Sequence, residues 1–367
     1  MEKIPYVNLP KQWAMDRDEL LPILEAVFNS GNYIGGDQVV NFEESAAALC
    51  NTRFAVALNS GTDALIYGML AMGIGKGDEV ITPPNSFIAS TAAIVHIGAV
   101  PVFVDVCDDQ NIDPEKIEKA ITKKTKAIMP VHLTGRVAAM KEILEISEKH
   151  SLTIVEDAAQ SIGSKLYDKP SGSFGRIAGF SAHPLKNLNA AGDAGFLTTN
   201  DEKIYENICK VRNHGLIDRN TVEIFGVVSR MDALQAAILN YRLKKLPELM
   251  EARRTNAKLY QQLLNKEHVF FPEDKPEEFN TYHTFVIQVN RRDELKEYLL
   301  SKGIETSIHY PIPIHLQPAS KSLGYKLGDF PKVEAQASRI LTLPINQFLK
   351  QDQIEYISAT VNEFYSK

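Results

Sequence analysis

The chain has 367 residues, of which 44% are hydrophobic and 23% are charged, and its formal net charge is -6. This length favours two domains, and the composition is typical of a soluble globular enzyme. The acidic balance offers no basic face for nucleic acid or anionic lipid, so we expect neither nucleic acid nor a membrane as a partner.

The sequence indicates no targeting segment, disulfide framework or metal site. The first ten residues lack an apolar stretch of signal-peptide length, and no later run is long enough to span a membrane, so we expect a cytoplasmic protein. The cysteines, Cys50, Cys107 and Cys209, are widely spaced without CxxC, and the nine histidines form no HExxH or paired Cys/His set. We therefore expect neither disulfides nor a bound metal.

Short apolar runs alternate with longer helix-like stretches between about residues 18 and 245. The predicted strands begin at Phe54, Glu79, Val100, Ala127, Thr153, Ala178 and Gly195. Several of these runs are apolar throughout, as expected for strands that are covered by helices on both faces. The pattern predicts an α/β fold with a mostly parallel central sheet, in which ligands bind beyond the carboxyl ends of the strands.

The chain changes character after residue 245. A long Leu- and Lys-rich helical stretch continues to about residue 265 and is followed by a strand-like run at 282–289, a helix near 292–302 and a Pro-rich segment at 308–315. This order is typical of a smaller α+β domain. We place the boundary near residue 245, which gives a large domain at 1–245 and a small C-terminal domain at 246–367.

The segment Asn59-Ser-Gly-Thr-Asp follows the first predicted strand and opens a helix. Ser60, Gly61 and Thr62 thus lie where free backbone N–H groups and the helix dipole favour an anion such as a phosphate. Taken alone, the segment is explained equally well by an ordinary N-cap at Ser60 or Thr62.

Two further strand ends carry candidate ligand contacts. Phe87 follows the strand at 79–82 and is placed to stack on a flat cofactor, although a buried core phenylalanine is the commoner case. Asp157 ends the apolar strand at 153–157 and needs a positive partner, which is either a protonated pyridine nitrogen or a local Arg or Lys. Gln160 comes three residues later, near enough to face the same ligand.

Lys186 lies between two predicted strands, in the run Ser181-Ala-His-Pro-Leu-Lys-Asn-Leu, with small residues packed behind it. Poor solvation disfavours the ammonium form, so this side chain can be a neutral amine able to form a Schiff base. Taken alone, a surface lysine in a turn is the commoner case. Together with the anion cradle, the aromatic ring and Asp157, however, Lys186 predicts a site for pyridoxal 5'-phosphate.

The chain also resembles the DegT/DnrJ/EryC1/StrS family of sugar aminotransferases over about residues 5 to 362. The resemblance is carried by motifs at 59–65, 155–160, 181–188, 192–195, 212–215, 229–237 and 309–315. It implies the aspartate aminotransferase fold and transamination with pyridoxal phosphate. The residue roles that it implies are a Schiff base at Lys186, a contact of Asp157 with the pyridine nitrogen, a contact of Gln160 with the ring hydroxyl, phosphate binding by Gly61, Thr62 and Ser181, and Phe87 on the ring face.

The resemblance further implies a nucleotide-linked keto-sugar as substrate, glutamate as amino donor and a homodimer with shared active sites, in the biosynthesis of a glycoside or a cell-surface polysaccharide such as lipopolysaccharide O-antigen. His183, His309 and Tyr310 become candidates for sugar contacts, and Arg219 for a diphosphate contact. Two alternatives stay open. One is a keto-sugar dehydratase of the same fold, which has His in place of the lysine, and the other is a non-enzymatic binding or regulatory protein.

Two positions depart from the family's pattern. Relatives commonly have Asn at the position of Val228, where it reaches the phosphate bound by the neighbouring subunit. Valine cannot form that hydrogen bond, so we expect Ser229 or another group to replace it. Arg136 stands where Gln is frequent after His-Leu-x-Gly.

Overall fold

The computed structural model describes residues 3–367. The larger part of the chain alternates strands and helices as expected. Its strands are β1 (Phe54–Leu58), β2 (Glu79–Thr82), β3 (Val100–Phe103), β4 (Thr125–Ile128), β5 (Thr153–Asp157), β6 (Lys165–Leu166), β7 (Lys169–Pro170), β8 (Ile177–Ser181) and β9 (Gly195–Thr199). Its helices are α1 (Leu9–Ser30), α2 (Asp37–Leu49), α3 (Gly61–Ala71), α4 (Ala89–His96), α5 (Pro114–Ala120), α6 (Met140–His150), α7 (Glu202–Val211) and α8 (Ala233–Leu263).

The central sheet has seven strands in the order β1-β9-β8-β5-β4-β2-β3. Neighbouring strands are parallel except at β9, which runs antiparallel to both β1 and β8. The carboxyl ends of β1, β5 and β8 therefore meet at one edge of the sheet, because these strands share a direction. The mostly parallel sheet predicted from the sequence is confirmed.

Helices cover both faces of this sheet. In β1, Ala55 and Ala57 pack with Phe42 of α2 and Leu239 of α8 on one face. The intervening residues of β1 point to the opposite face, where they pack in a core with residues of α3, α4 and α7. The buried apolar strands of the sequence thus reflect a sheet covered by helices on both sides.

The rest of the chain is a smaller α+β unit. It contains β10 (Val269–Phe270), β11 (Glu278–Phe279), β12 (Phe285–Val289), α9 (Arg292–Ser301), α10 (Pro331–Ala337), β13 (Ile340–Leu343) and α11 (Gln351–Ser366), with 3-10 turns at Ile314–Leu316 and Pro318–Leu323. The strands β10, β12 and β13 form an antiparallel sheet. The short strand β11 instead pairs with β6 of the larger part.

The proposed boundary near residue 245 falls inside α8, which runs unbroken through that position. Residues of α8 up to Met250 pack in the core of the larger part, whereas Ala257 and Tyr260 belong to the core of the smaller unit. Ile4 joins this second core, and its backbone bridges to Ile304. The packing therefore changes between residues 250 and 257, and the smaller unit includes the start of the described chain.

Two observations concern membranes and metals. None of the helices found in residues 3–367 is both long enough and apolar enough to cross a bilayer. In the same part of the chain, no three His, Cys, Asp or Glu side chains are grouped so that they could hold a metal ion.

Candidate active site

A cavity of about 350 Å³ lies at the carboxyl ends of β1, β5 and β8 and reaches the smaller unit. Parallel strands bring these ends together, which is where an open α/β sheet binds ligands. The sequence-predicted residues that line the cavity are Ser60, Gly61, Thr62, Phe87, Asp157, Gln160, Ser181, His183, Lys186, His309 and Tyr310. Residues that are distant in sequence thus share a single site.

Lys186 projects into the cavity from the loop between β8 and β9. The loop closes on itself through hydrogen bonds from Ala182 N to Ala194 O and from Ala190 N to Ala182 O, both 2.8 Å long. A reciprocal amide pair joins Asn189 of the loop to Gln12 of α1 at 2.9 and 3.0 Å. The loop is therefore braced by another element, which restricts the positions that the lysine can occupy.

Burial lowers the pKa of the Lys186 amine from 10.5 to about 8, and the negative charge of Asp157 opposes this change. Lys186 is half-buried and lines the cavity, and it forms no ion pair with any carboxylate of residues 3–367. Desolvation is the larger effect because a charged amine loses its hydration there. The lower pKa raises the neutral fraction of the amine near neutral pH, which favours a nucleophilic lysine.

Asp157, at the carboxyl end of β5, is 5% exposed. Its Oδ2 accepts a hydrogen bond of 2.5 Å from the Ser90 hydroxyl, and its Oδ1 accepts one of 3.1 Å from Ala159 N. Ser86 in turn donates to Ser90 at 2.9 Å. The carboxylate has no Arg or Lys ion-pair partner among the described residues, which leaves its charge available to a ligand in the cavity.

The anion cradle is the N-terminus of α3. Ser60 caps this helix, because its hydroxyl accepts a 3.1 Å hydrogen bond from Asp63 N. Within residues 3–367, the N–H groups of Gly61 and Thr62 have no acceptor and lie at the cavity wall. Capping and anion binding are therefore compatible here, since they use different N–H groups of the first turn.

Close packing behind the cradle requires glycine at two positions. A Cβ at Gly61 would lie 3.0 Å from Ser181 Cβ, and a Cβ at Gly195 would lie 2.3 Å from Gly61 N. The absence of side chains lets the start of α3 approach β8 and β9 closely. The small residues noted in the sequence thus place Ser181 beside the helix N-terminus.

Ser229 does not reach the cavity. Its buried hydroxyl donates to Asp63 Oδ2 at 2.6 Å and lies 3.3 Å from Asn59 Oδ1. It therefore fixes the first turn of α3 from behind. Within one chain, the structure does not place Ser229 as the replacement for the phosphate contact missing at Val228.

Phe87, Gln160 and Tyr310 line one side of the cavity. Phe87 is 57% exposed, and its ring centroid lies 6.1 Å from that of Tyr310. Gln160 is buried, and its Oε1 accepts a 2.8 Å hydrogen bond from Thr134 N. Burial and the charge of Asp157 raise the pKa of Tyr310, so its phenol is neutral. An exposed aromatic face and neutral hydrogen-bonding groups suit a flat polar ring.

The two candidate sugar-contact histidines differ in their surroundings. His183 is exposed at the cavity, and its Nδ1 accepts a 3.3 Å hydrogen bond from Leu185 N. His309 is more enclosed, with its Nδ1 2.9 Å from Thr342 Oγ1. Burial and then the charge of Lys186 lower the pKa of His309 to about 4, which makes it a neutral group.

Like Ser229, three further residues singled out in the sequence do not line the cavity of their own chain. Arg219 and Val228 are exposed on the segment between α7 and α8. Arg136 is buried, forms an ion pair with Glu278 and donates to the backbone of 272–273. This arginine connects the larger part to the segment before β11, which explains its position without a role in binding.

Three cavity groups were not anticipated. Ser90 orients Asp157 from α4, and Arg253 of α8 and half-buried His283 line the side formed by the smaller unit. Ser90 lies three residues beyond Phe87, which is about one helical turn. This spacing is the only local sequence signal that places Ser90 near the same ligand as Phe87. The sequence offers no signal for Arg253, which is one of many basic residues in a long helix.

These groups together define a class of protein. The helix N-terminus has free N–H groups that can bind a phosphate, Asp157 offers an unpaired negative charge, and Lys186 offers a partly neutral amine that can bond to an aldehyde. The residues present therefore fit pyridoxal 5'-phosphate, a flat phosphorylated aldehyde with a basic ring nitrogen. The site is that of a pyridoxal-phosphate enzyme.

Comparison with known proteins specifies the family. The profile of the DegT/DnrJ/EryC1/StrS aminotransferase family matches residues 15–362, and the chain belongs to this family. It is 39% identical to the "pleiotropic regulatory protein" of Geobacillus stearothermophilus, covering 99% of this chain and 98% of that one. It is 37% identical to dTDP-3-amino-3,4,6-trideoxy-alpha-D-glucose transaminase of Streptomyces venezuelae, with 99% and 96% covered. It is 38% identical to UDP-N-acetyl-3-dehydro-alpha-D-glucosamine 3-aminotransferase of Acidithiobacillus ferrooxidans, with 98% and 97% covered.

Solved structures agree with this assignment. DesV of S. venezuelae in complex with a ketimine intermediate superposes with a TM-score of 0.97 at 37% identity, with 100% of both chains covered. The ntda protein of Bacillus subtilis with bound cofactor PMP gives a TM-score of 0.93 at 32% identity, covering 100% of this chain and 86% of that one. The protein is therefore a pyridoxal-phosphate-dependent aminotransferase of fold type I, and both the predicted family and the predicted cofactor are confirmed.

Proposed function

We propose that this protein transfers an amino group to a nucleotide-linked keto-sugar, with glutamate as the amino donor. The observation that carries the proposal is the placement of Lys186, with its lowered pKa, in one cavity with the unpaired carboxylate of Asp157. Relatives at 37 to 38% identity over nearly the whole chain are transaminases of dTDP- and UDP-linked sugars. Sugar transamination is the activity that combines this site with these relatives.

Asp157, Ser90 and Lys186 have separate roles in the proposed reaction. When bound, the cofactor serves as an electron sink for the carbanion formed at the carbon that carries the amine. Asp157 keeps the ring nitrogen protonated, and Ser90 holds that carboxylate in place through its 2.5 Å hydrogen bond. Lys186 would hold the cofactor through its amine, and as a free amine it would move the proton at the reacting carbon.

The sugar occupies the part of the cavity between the Lys186 loop and the smaller unit. His183 and Leu185 line it from the loop, and His309 and Tyr310 line it from the opposite side. Both His309 and Tyr310 are neutral, because burial is the largest influence on each pKa. Neutral donors and acceptors suit the hydroxyl groups of a sugar, and they support the assignment of these residues as sugar contacts.

We further propose a homodimer in which the segment at 212–230 of one subunit reaches the active site of the other. This segment exposes Ile217, Val222, Phe225 and Val228, each more than half exposed, and Phe225 is fully exposed in the single chain. An apolar cluster of this kind is typical of a surface that another chain covers. A second copy would bring Arg219, which lies on the same segment, towards a substrate diphosphate.

Phe225→Asp is expected to weaken the dimer about 10²-fold, because symmetry places a charge at the interface twice. Sedimentation velocity over a concentration series measures the dissociation constant. Leu327→Asp is the matched control, since Leu327 is also an exposed apolar residue, at 74%, but lies outside the segment at 212–230. A dimer that is equally stable in both variants, or a fully active monomer, would contradict the shared site.

We place the reaction in the cytoplasm, in the biosynthesis of a glycoside or a cell-surface polysaccharide such as lipopolysaccharide O-antigen. Support comes from the substrate class of the relatives, whose dTDP- and UDP-linked amino sugars are activated for transfer to a growing glycoside. The name of the Geobacillus relative favours regulation as a second candidate function. That role would not require the catalytic groups Lys186 and Asp157.

The proposed substrate class is tested with the pyridoxamine form of the protein and a panel of nucleotide-linked keto-sugars. The panel combines dTDP and UDP with a ketone at different sugar carbons. We expect one keto-sugar to restore the visible absorbance of the aldehyde form of the cofactor much faster than the others. A protein that takes an amino group from glutamate yet delivers it to no keto-sugar would show that the acceptor belongs to another class.

A further inference from the structure

Arg253 of α8 is a buried arginine at the cavity wall, 8% exposed. Its Nη1 donates to the carbonyl oxygens of Tyr282 and His283, both at 3.1 Å, and its Nη2 donates to Gln347 Oε1 at 3.2 Å. Its Nε has no partner in the described part of the chain. Since a guanidinium carries five N–H donors, these contacts leave hydrogen-bonding capacity unused.

The charge of Arg253 also lacks a counter-charge. No carboxylate of residues 3–367 forms an ion pair with it, whereas other enclosed arginines each have one: Arg136 with Glu278, Arg212 with Glu43, and Arg242 with Asp16. Burial lowers the pKa of Arg253 to about 10, so the group is still charged at neutral pH. A buried charge without a partner is costly, and proteins seldom keep one unless a ligand neutralises it.

This charge faces the cavity that contains Lys186. His283, which is half-buried, lies beside Arg253, and the charges of Lys186 and Arg253 both lower its pKa. Burial is the largest cause of that change, and the imidazole is neutral. Tyr6, Asn346 and Gln347 also line the cavity and bear no negative charge, and the carboxylates in the lining are those of Asp157 and Asp193. An anion bound beside Arg253 would neutralise its positive charge.

Among anions, a carboxylate suits this position best. A guanidinium presents paired N–H groups that match the two oxygens of a carboxylate. The site is also enclosed, which suits a small anion attached directly to the reacting molecule. A nucleotide diphosphate is larger and more strongly hydrated, and Arg219 on the exposed segment is the better candidate for it.

We propose that Arg253 binds a carboxylate of the amino donor and so selects an amino acid for the first half of the reaction. The proposal rests on the proposed transaminase function, because only that function requires an amino donor. The same chemistry has a second source, since a uronic acid sugar also carries a carboxylate. The two half-reactions distinguish the sources, because only the first uses the amino donor and only the second uses the sugar.

The test compares wild type, Arg253→Gln and Arg253→Lys by rapid mixing. For Arg253→Gln, the glutamate concentration that half-saturates the first half-reaction is expected to rise about 10- to 100-fold, and less for Arg253→Lys, which keeps the charge. The rate at which the pyridoxamine form reacts with the keto-sugar is expected to stay within about twofold. Arg254→Gln is the matched control, because Arg254 is adjacent on α8 but packs over Phe279 outside the cavity.

Binding of glutarate provides a readout that does not depend on turnover. Glutarate has the two carboxylates of glutamate but no amine, so calorimetry reports carboxylate recognition alone. We expect wild type and Arg254→Gln to bind it and Arg253→Gln to lose at least about 10-fold in affinity. Thermal unfolding of each variant confirms that the fold is intact, and the graded result for Arg253→Lys separates charge from packing.

Three results would overturn the assignment of Arg253: equal glutarate affinity in wild type and Arg253→Gln, a loss confined to the keto-sugar half-reaction, or equal losses in both half-reactions. The second result would assign the carboxylate to the sugar, and the third would indicate a structural role. A wild-type protein that exchanges no amino group with any amino acid contradicts the proposed function instead. The glutarate measurement still tests Arg253 in that case.

Discussion

Lys186→Ala is expected to reduce kcat for transamination by about 10³-fold or more, the largest effect of any single substitution in this protein. The proposed mechanism gives this lysine two roles that no neighbouring side chain can fill. In that mechanism, it bonds to the cofactor through a partly neutral amine and moves the proton at the reacting carbon. Its pKa of about 8 follows from burial and makes both roles compatible with neutral pH.

The measurement is steady-state amino-sugar formation, together with the visible spectrum after mixing with pyridoxal phosphate. We expect Lys186→Ala to lose the protein-bound visible band, since that band requires the lysine. Lys203→Ala is the control, because Lys203 is an exposed lysine at the start of α7 and does not line the cavity. A visible band and a kcat that survive in Lys186→Ala would contradict the role of this residue.

Asp157→Asn is expected to lower kcat by about 10²- to 10³-fold, because it removes a preorganised negative charge while it preserves the shape of the side chain. The neutral amide cannot hold the ring nitrogen in its protonated form. Ser90→Ala serves as a comparison, since it removes the 2.5 Å hydrogen bond but leaves the charge of Asp157 in place. We expect its effect to be the smaller of the two.

The same substitution has a predicted pH signature. The rate at which cofactor-free protein takes up pyridoxal phosphate should rise with pH as the Lys186 ammonium loses its proton, with a midpoint near pH 8. The charge of Asp157 raises the pKa of Lys186, so its removal must shift this midpoint to lower pH. A midpoint that moves upward in Asp157→Asn would contradict the effect of the Asp157 charge on Lys186, and an unchanged kcat would contradict the proposed role of Asp157 at the ring nitrogen.

The sequence was sufficient to predict the groups that lie at strand ends. Asp157 closes the apolar strand β5, and Ser60 to Thr62 open a helix directly after β1, so the topology of a parallel sheet brings them together. Lys186 was predicted for a related reason, because its loop joins two adjacent strands of the same sheet. Each of these residues is marked by the sequence pattern immediately around it, although the residues are far apart along the chain.

The groups that support them could not be predicted, because their partners are far away in sequence. Ser90 bonds to a carboxylate 67 positions away, and Gln12 braces Asn189 across 177 positions. Each of these hydrogen bonds depends on how helices pack on the sheet, and local patterns do not encode that packing. Ser229 shows the same limit, because its hydroxyl turned out to bind Asp63 behind the helix start.

Domain organisation was also only partly predictable. The sequence predicts a boundary near residue 245, and the structure contains a smaller unit with its own antiparallel sheet and core. The helix α8 nevertheless contributes to both cores, and a continuous helical pattern gives no sign of where its neighbours change. Arg253 lies close to this change, which explains why an arginine in a long basic helix reaches the cavity.

The central claim, transfer of an amino group to a nucleotide-linked keto-sugar, is tested most directly with glutamate whose nitrogen is isotopically labelled. The labelled glutamate, the protein with pyridoxal phosphate and the preferred keto-sugar are incubated together, and the sugar product is analysed by mass spectrometry. The account predicts a nucleotide-linked amino sugar that carries the label. A sugar that loses oxygen without gaining nitrogen would indicate a dehydratase, an unchanged sugar would indicate a binding or regulatory protein, and either result would contradict the account.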